Sequence, residues 1–146
     1  MPTRTARTGW TGSFEEGEGQ VELTSSKIGT YNVSFPKRAA DDANGFTSPE
    51  ELLAAAHSSC YAMQFSAILG GLGATIEALE VQADVTLGPD PDGGFRLTAI
   101  NLIVRGEVTG IDSEAFLKAA DEAKATCPVS KALTGVDITL DAELEE

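Results

Sequence analysis

The spacing of apolar positions divides the chain into a β-rich first third and a mixed remainder. Between Arg7 and Arg38, apolar residues alternate with polar ones, most clearly over 20–24 and 30–35. A period of two is typical of strands with one buried face, so we predict two or three antiparallel strands here. The segment Pro36–Thr47 has no apolar period and many turn-forming residues, and we predict a loop.

A long helix is predicted directly after this loop. Ser48 has the properties of an N-cap, Pro49 suits the first helical position, and Glu51 completes a capping box. Residues 52–69 then run without proline or glycine before Gly70 ends the helix. The helix should contain about 20 residues and extend about 30 Å.

The remainder of the chain predicts two strands, a second helix, a short helical turn and a last strand. Their ranges are 76–87, 95–108, 113–125, 127–133 and 136–140. The resulting order β-β-β-α-β-β-α-β indicates an α+β fold rather than a regular alternation of strand and helix. We predict a single domain over 1–146, with a β-rich arm and loop over 1–47 and a helix–sheet body over 48–146.

Charge and composition exclude several classes of partner. The 146 residues include 10 Lys and Arg and 23 Asp and Glu, which gives a net charge of −13. A polyanion of this kind is repelled by nucleic acid and by anionic membranes. We also take the apolar stretches to fall short of the ~20 residues of a membrane span. With no apolar core of a signal peptide within Met1–Gly12, we expect a cytoplasmic protein without nucleic-acid or membrane partners.

Cys60 lies near the middle of the predicted long helix. It shares one face of that helix with Leu53, Ala56, His57 and Gln64. Composition alone favours a buried structural cysteine, since a free cysteine packs like a small apolar side chain. A reactive thiol would need a cation from elsewhere to lower its pKa, because a mid-helix position gains nothing from the helix dipole.

Arg38 and Glu50 are candidates for that cation and its partner. A guanidinium stays charged and can stabilise a thiolate, although a solvated loop arginine is the alternative interpretation of Arg38. Glu50 can hold Arg38 in a bidentate pair, or can simply favour the helix dipole. Glu50 and Cys60 lie ten helical residues apart, about 15 Å along the axis, so a site that uses both predicts Glu50 from a second subunit.

His57 and Cys127 are further candidates. His57 lies one turn before Cys60 and would be either a base for its thiol or a packed histidine with one hydrogen bond, which we favour. Cys127 precedes Pro128 at a predicted helix start, where outward N–H groups stabilise a thiolate. With only two cysteines and one histidine, a structural zinc site is not expected. The cysteines suggest a peroxidatic and a resolving pair, which only the fold can bring together.

Two motifs make a family resemblance specific. Residues 48–60 (SPEELLAAAHSSC) and 125–133 (ATCPVSKAL) resemble the two cysteine motifs of the OsmC/Ohr family of organic hydroperoxide reductases. Trp10-x-Gly12 followed by Gly17-x-Gly19 is similar to the family's opening. The resemblance covers almost the whole chain and is closer to the osmotically inducible OsmC branch.

The resemblance implies both a fold and a mechanism. The family fold is an intertwined α+β homodimer, with antiparallel sheets around long central helices and active sites at the subunit interface. By resemblance, Cys60 attacks the peroxide and becomes a sulfenic acid, and Cys127 resolves it into a disulfide. Arg38 and Glu50 match the family's arginine and glutamate. The resemblance further implies reduction by an external dithiol, typically a lipoyl group, and no metal, haem or flavin cofactor.

A non-enzymatic alternative uses the same residues. The chain could form a redox-sensing or small-ligand-binding dimer in which Cys60 and Cys127 act as a switch. Such a regulator would be oxidised stoichiometrically without catalytic cycling. No predicted DNA-binding helix or basic patch supports a regulator that binds DNA directly. A third interpretation is a stable dimer whose cysteines are merely buried and resist alkylation.

Overall fold

The computed structural model describes residues 1–145. Its contacts divide the chain into two compact units, Met1–Leu52 and Leu53–Glu146. This boundary falls five residues after the predicted end of the arm, inside the long helix. We describe each unit by itself, and the predicted single domain over 1–146 stays a prediction.

The first unit is built on a three-stranded antiparallel sheet. Its strands are β1 (Arg7–Thr11), β2 (Glu18–Glu22) and β3 (Thr30–Val33), in that order across the sheet. Residues opposite one another include Gly9 with Gln20 and Val21 with Tyr31. Alternation buries Gly19 and Val21 on one face of the middle strand. The predicted antiparallel strands are thus confirmed.

The predicted loop over Pro36–Thr47 is wrong at its start. A short helix, α1, covers Phe35–Ala39. The hydroxyl of Ser34 caps it by accepting from the N–H of Lys37, and Pro36 lies in its first turn, where no N–H partner is needed. Arg38 therefore lies on a helical turn, with its N–H donating to the Ser34 carbonyl at 3.0 Å.

The long helix α2 covers Pro49–Gly71 and follows the predicted start and end. The hydroxyl of Ser48 accepts from the N–H of Glu51 at 3.1 Å, as the capping box predicts. The Glu51 carboxylate instead accepts from the hydroxyl of Thr47 at 2.6 Å. Beyond the helix, Gly73 takes a positive φ of 80° and the chain turns away.

Helix α2 also corrects the expectation about membrane spans. Residues 52–69 contain no charged side chain, and the helix is long and apolar enough to cross a membrane by length and composition. The expectation that all apolar stretches are too short is therefore wrong. Core helices of soluble proteins pass the same test, so a single such helix is weak evidence for a span.

The second unit contains a sheet of mixed direction. Its strands are β4 (Thr75–Pro89), β5 (Phe95–Thr109) and β6 (Asp137–Glu145), with β5 in the middle. Strands β4 and β5 form the predicted antiparallel hairpin, whereas β6 pairs with β5 in parallel. The prediction of antiparallel sheets is wrong for this strand pair. A helical crossover after β5 carries the chain back to the end of the sheet where β5 begins, so β6 runs in the same direction as β5.

Two helices form that crossover, and one of them packs into the main core. They are α3 (Ser113–Thr126) and α4 (Pro128–Ala132). Helix α3 begins at the predicted residue, but its N-cap is Asp112, whose carboxylate accepts from the N–H of Ala115. The core of the unit combines side chains from α2, β5 and α3, namely Tyr61, Phe65, Leu69, Ile100, Leu102, Val104, Phe116, Ala120 and Ala123.

Phe116 is the residue of this core whose truncation we expect to cost most. It is fully buried, its ring lies 5.1 Å from that of Phe65, and it faces the β5 backbone at Gly106. Phe116→Ala should lower the free energy of unfolding by about 3–5 kcal/mol through lost burial and a cavity. Leu117→Ala, a neighbouring truncation of a side chain that is 42% exposed, should cost about 1 kcal/mol or less. Urea unfolding of both variants measures this, and equal losses would contradict the described packing.

Candidate active site

The two cysteines of the chain meet in the second unit. Cys60 lies on α2, and Cys127 is the junction between α3 and α4, 67 residues further along the chain. Their sulfur atoms lie 3.1 Å apart and both are free thiols. Cys127 is fully buried, whereas Cys60 is partly exposed. The fold thus brings together the two residues that the sequence proposed as a pair.

The surroundings of the two thiols shift their pKa values in opposite directions. Burial raises the pKa of Cys60, with a hydrogen bond from the N–H of Val129 opposing the shift. Burial would raise the pKa of Cys127 too. Hydrogen bonds from the backbone and hydroxyl of Ser130, from Val129 and from Cys60 outweigh it, so the pKa of Cys127 is lowered. Within this unit, the negative charge of the pair therefore resides preferentially on Cys127.

Ser130 is the functional candidate that sequence reasoning missed. It lies in α4, three residues after Cys127, and is 4% exposed. Its hydroxyl interacts with the Cys127 thiol and lies 2.7 Å from Nε2 of His57. The only available signal was its position within the second cysteine motif, since a serine in a helical turn is otherwise unremarkable.

His57 is fully buried and contacts Ser130. The favoured prediction, a packed histidine with one hydrogen bond, is confirmed. Its hydrogen bond is to Ser130 and not to Cys60, and Nδ1 is buried without a partner. Burial lowers the pKa of His57, so the ring is neutral at neutral pH.

Arg38 and Glu50 meet in the first unit. The guanidinium donates from Nε to both carboxylate oxygens, at 2.9 and 3.1 Å, and from Nη2 to Oε1 at 2.7 Å. Glu50 is 8% exposed, and a third of the Arg38 side chain remains accessible. This is the bidentate pair that the sequence analysis offered as one of two interpretations of Glu50. It leaves one guanidinium edge available for another group.

An apolar cavity of about 240 Å³ adjoins this ion pair within the first unit. Its walls come from β1, the turn after β1, β3, α1 and the start of α2, and its lining residues are Trp10, Phe14, Val33, Ser34, Phe35, Arg38 and Pro49. The rings of Phe14 and Phe35 lie 4.1 Å apart. The cavity therefore places aromatic surface beside a fixed positive charge.

The family of the chain follows from comparison with known proteins. The model of the "OsmC-like protein" family matches residues 41–141. The chain belongs to this family. Peroxiredoxin OsmC of Escherichia coli strain K12 is 38% identical over 136 residues, which are 93% of this chain and 92% of that protein.

Solved structures support the OsmC-like fold. The organic hydroperoxide resistance protein OhrB of Bacillus subtilis superposes with a TM-score of 0.75 at 26% identity, over 95% of this chain and 98% of that one. An organic hydroperoxide resistance protein from Elizabethkingia anophelis gives a TM-score of 0.79 at 24% identity, over 99% and 98% of the two chains. The predicted α+β fold of the OsmC/Ohr family is confirmed.

The family match covers part of the candidate site. Glu50, Cys60 and Cys127 lie within residues 41–141, whereas Arg38 lies three residues before them. The choice of Arg38 therefore rests on its bond to Glu50. Over the described residues 1–145, no group of three or more His, Cys, Asp or Glu side chains is placed to hold a metal ion.

Proposed function

We propose that this OsmC-like protein is a thiol-dependent peroxidase that reduces organic hydroperoxides and, less efficiently, hydrogen peroxide. The observation that carries the proposal is the approach of two free thiols to 3.1 Å, one partly exposed and one buried. A pair in this arrangement can be oxidised and can close a disulfide with little movement of the chain. The relative named peroxiredoxin OsmC, 38% identical, supports this chemistry.

Cys60 is the proposed peroxidatic residue because peroxide can reach it. Its thiolate attacks the terminal oxygen of ROOH, an S–O bond forms, and the O–O bond breaks. The leaving alkoxide takes a proton and departs as an alcohol, leaving a sulfenic acid on Cys60. Cys127, fully buried behind it, then attacks the Cys60 sulfur. An S–S bond forms, the S–O bond breaks, and hydroxide takes a proton and leaves as water.

Cys60 needs a cation to become a thiolate, because burial raises its pKa. We propose that Arg38, held by Glu50, supplies this charge across a homodimer. Glu50 and Cys60 lie ten residues apart on the unbroken helix α2, about 15 Å along its axis. In the proposed homodimer, the Arg38–Glu50 ion pair of one subunit therefore lies beside the Cys60–Cys127 pair of the other subunit.

The cavity beside Arg38 supports an organic substrate. Aromatic walls bind an alkyl or aryl group, while the guanidinium can hold the peroxide oxygens. A hydroperoxide with a phenyl substituent matches both features better than hydrogen peroxide does.

An external dithiol, of the lipoyl type, is the proposed reductant. One of its thiols attacks the Cys60–Cys127 disulfide and the second completes the exchange, so the dithiol leaves as a disulfide and both protein thiols are restored. The cytoplasm, which keeps such dithiols reduced, is the proposed location.

Peroxide consumption driven by dihydrolipoamide tests the proposal. We expect many turnovers per subunit with cumene hydroperoxide and a higher kcat/KM for it than for hydrogen peroxide. Oxidation of one thiol pair per subunit with no turnover, using dihydrolipoamide or other dithiols, would contradict the enzyme. That result would favour the redox-sensing alternative.

A further inference from the structure

A buried polar pair lies behind the thiol pair and has no part in the steps above. His57 is fully buried and Ser130 is 4% exposed, and Nε2 of the ring lies 2.7 Å from the serine hydroxyl. Burying two polar side chains in a small core is unfavourable unless their hydrogen bonds serve the fold or the chemistry. The pair ends at Cys127, whose thiol interacts with the Ser130 hydroxyl.

The number of available protons sets the direction of these hydrogen bonds. Ser130 has one hydroxyl proton and two neighbours, the His57 ring and the Cys127 sulfur. If the proton pointed to the ring, Nδ1 would carry a buried N–H with no partner, and the sulfur would lose the hydroxyl as a donor. If Nε2–H donates to Ser130, the hydroxyl proton is free to donate to the sulfur. The ring then keeps only an unpaired lone pair at Nδ1.

We propose that Ser130 and His57 hold Cys127 as the attacking thiolate in the disulfide-forming step. Ser130 is the proposed hydrogen-bond donor to the reacting sulfur, and His57, 2.7 Å from its hydroxyl, is a positioning residue that acts through Ser130. The inference rests on the proposed function but concerns a different step, the resolution of the Cys60 sulfenic acid rather than its formation.

The hydrogen-bond chain would favour resolution in two ways. A thiolate attacks sulfenic sulfur far faster than a thiol does, and the chain keeps the negative charge on Cys127 before the attack. The neutral imidazole fixes the rotamer of the serine, so the hydroxyl does not have to reorient. As the S–S bond forms, the charge leaves Cys127 with the departing hydroxide, which takes a proton to become water.

Among the described residues of the second unit, Cys60 and Tyr61 are titratable groups that also face Cys127. The sulfur atoms of Cys60 and Cys127 are hydrogen-bonded at 3.1 Å, and Tyr61 interacts with the charge of Cys127. The phenol of Tyr61 donates to the carbonyl of Ala120 at 2.8 Å, and burial raises its pKa, so it stays protonated. Of the described side chains, Ser130 and Cys60 are therefore the two that donate a hydrogen bond to Cys127.

The test separates the two steps of the reaction. In single-turnover experiments with cumene hydroperoxide, Ser130→Ala should form the Cys60 sulfenic acid at the parent rate and close the disulfide about tenfold more slowly. In a Cys60→Ser background, which needs no peroxidase activity, Ser130→Ala should raise the midpoint of the Cys127 thiolate absorbance by about one pH unit. Ser130→Thr, which keeps the hydroxyl, should restore both values towards the parent.

Variants at His57 and a matched serine complete the design. His57→Gln keeps an N–H donor and should retain most of the resolution rate, whereas His57→Leu should behave like Ser130→Ala. Ser66→Ala removes a hydroxyl that bonds only within its own helix, to the Met63 carbonyl, and should change neither step. Urea unfolding identifies any variant that fails to fold. If a His57 variant fails, the Cys127 titration of Ser130→Ala alone decides whether the serine hydroxyl stabilises the thiolate.

Two outcomes distinguish failure of this inference from failure of the enzyme. An unchanged Cys127 midpoint and an unchanged disulfide rate in folded Ser130→Ala would overturn the role of Ser130 and leave the peroxidase intact. Absence of a disulfide in the peroxide-treated parent, together with absence of a sulfenic acid in Cys127→Ser, would overturn the peroxidase, whereas the Cys127 midpoint would still report on Ser130.

Discussion

Replacing Cys60 with serine is expected to abolish peroxide turnover. The hydroxyl that remains is a far weaker nucleophile than a thiolate and cannot form a sulfenic acid, so kcat/KM for cumene hydroperoxide should fall about a thousandfold or more. The loss should be measured under dihydrolipoamide-driven steady state. Because serine is nearly isosteric and Cys60 is partly exposed, the fold should survive, which urea unfolding verifies.

The matched variant is Cys127→Ser. It should also lose steady-state turnover, since no disulfide can form for the dithiol to reduce. In a single exposure to peroxide, however, it should still yield one sulfenic acid per subunit. Full turnover in Cys60→Ser would contradict the assignment of the peroxidatic sulfur, whereas full turnover in Cys127→Ser would contradict only the resolving role.

Replacing Arg38 with methionine is the change outside the cysteines with the largest expected effect. The side chain keeps its length and loses its charge, so Cys60 no longer has a cation to lower its thiol pKa and the leaving oxygen loses its donor. We expect kcat/KM to fall about a hundredfold, measured as the rate of sulfenic acid formation with excess peroxide. The effect should lie in this first step, with the disulfide-forming step unchanged.

Controls separate the charge of Arg38 from its geometry. Arg38→Lys keeps the charge without the planar fork that holds Glu50, so it should recover only part of the rate. Arg7→Met removes an exposed arginine whose ion pair with Glu22 spans 3.7 Å, and it should leave the rate unchanged. A parent-like rate in Arg38→Met would exclude Arg38 from the site.

Local signals predicted the elements well wherever they were strong. The Ser48-Pro49 start and the glycine end of α2 both lie where the sequence analysis placed them. The strands β4 and β5 extend one or two residues beyond their predicted ends. The start of α1 carried a similar signal, a serine with a proline two residues later, but five helical residues are too few to show a period.

The periodicity of apolar residues could not predict strand direction or contacts between residues that are far apart in the chain. The alternation that predicted β6 says which residues share a face, but not whether the neighbouring strand runs in the same direction. The parallel pairing with β5 depends on the crossover through α3 and α4. Similarly, the absence of charge along residues 52–69 was apparent in the sequence, but the entry of Tyr61, Phe65 and Leu69 into the core was not.

The candidate site divides along the same line. The pairing of Arg38 with Glu50 could be argued from charge and position, because the chain has only 10 Lys and Arg and Arg38 lies in the segment directly before α2. The contact between Cys60 and Cys127 came from the family resemblance, since nothing in a spacing of 67 residues implies it. The Ser130–His57 bond joins residues 73 positions apart, and only the three-dimensional structure could reveal it.

The central claim, that Cys60 reacts with peroxide and Cys127 resolves it, has one direct measurement. The protein and its two Cys→Ser variants are exposed to one equivalent of cumene hydroperoxide, sulfenic acids are trapped with dimedone, and the modified cysteines are located by mass spectrometry. We predict a Cys60–Cys127 disulfide in the parent, a trapped sulfenic acid on Cys60 in Cys127→Ser, and none on Cys127 in Cys60→Ser. Because the pKa of Cys127 is the lower of the two, the contradicting result is equally well defined: a sulfenic acid on Cys127 of Cys60→Ser, formed at the parent rate.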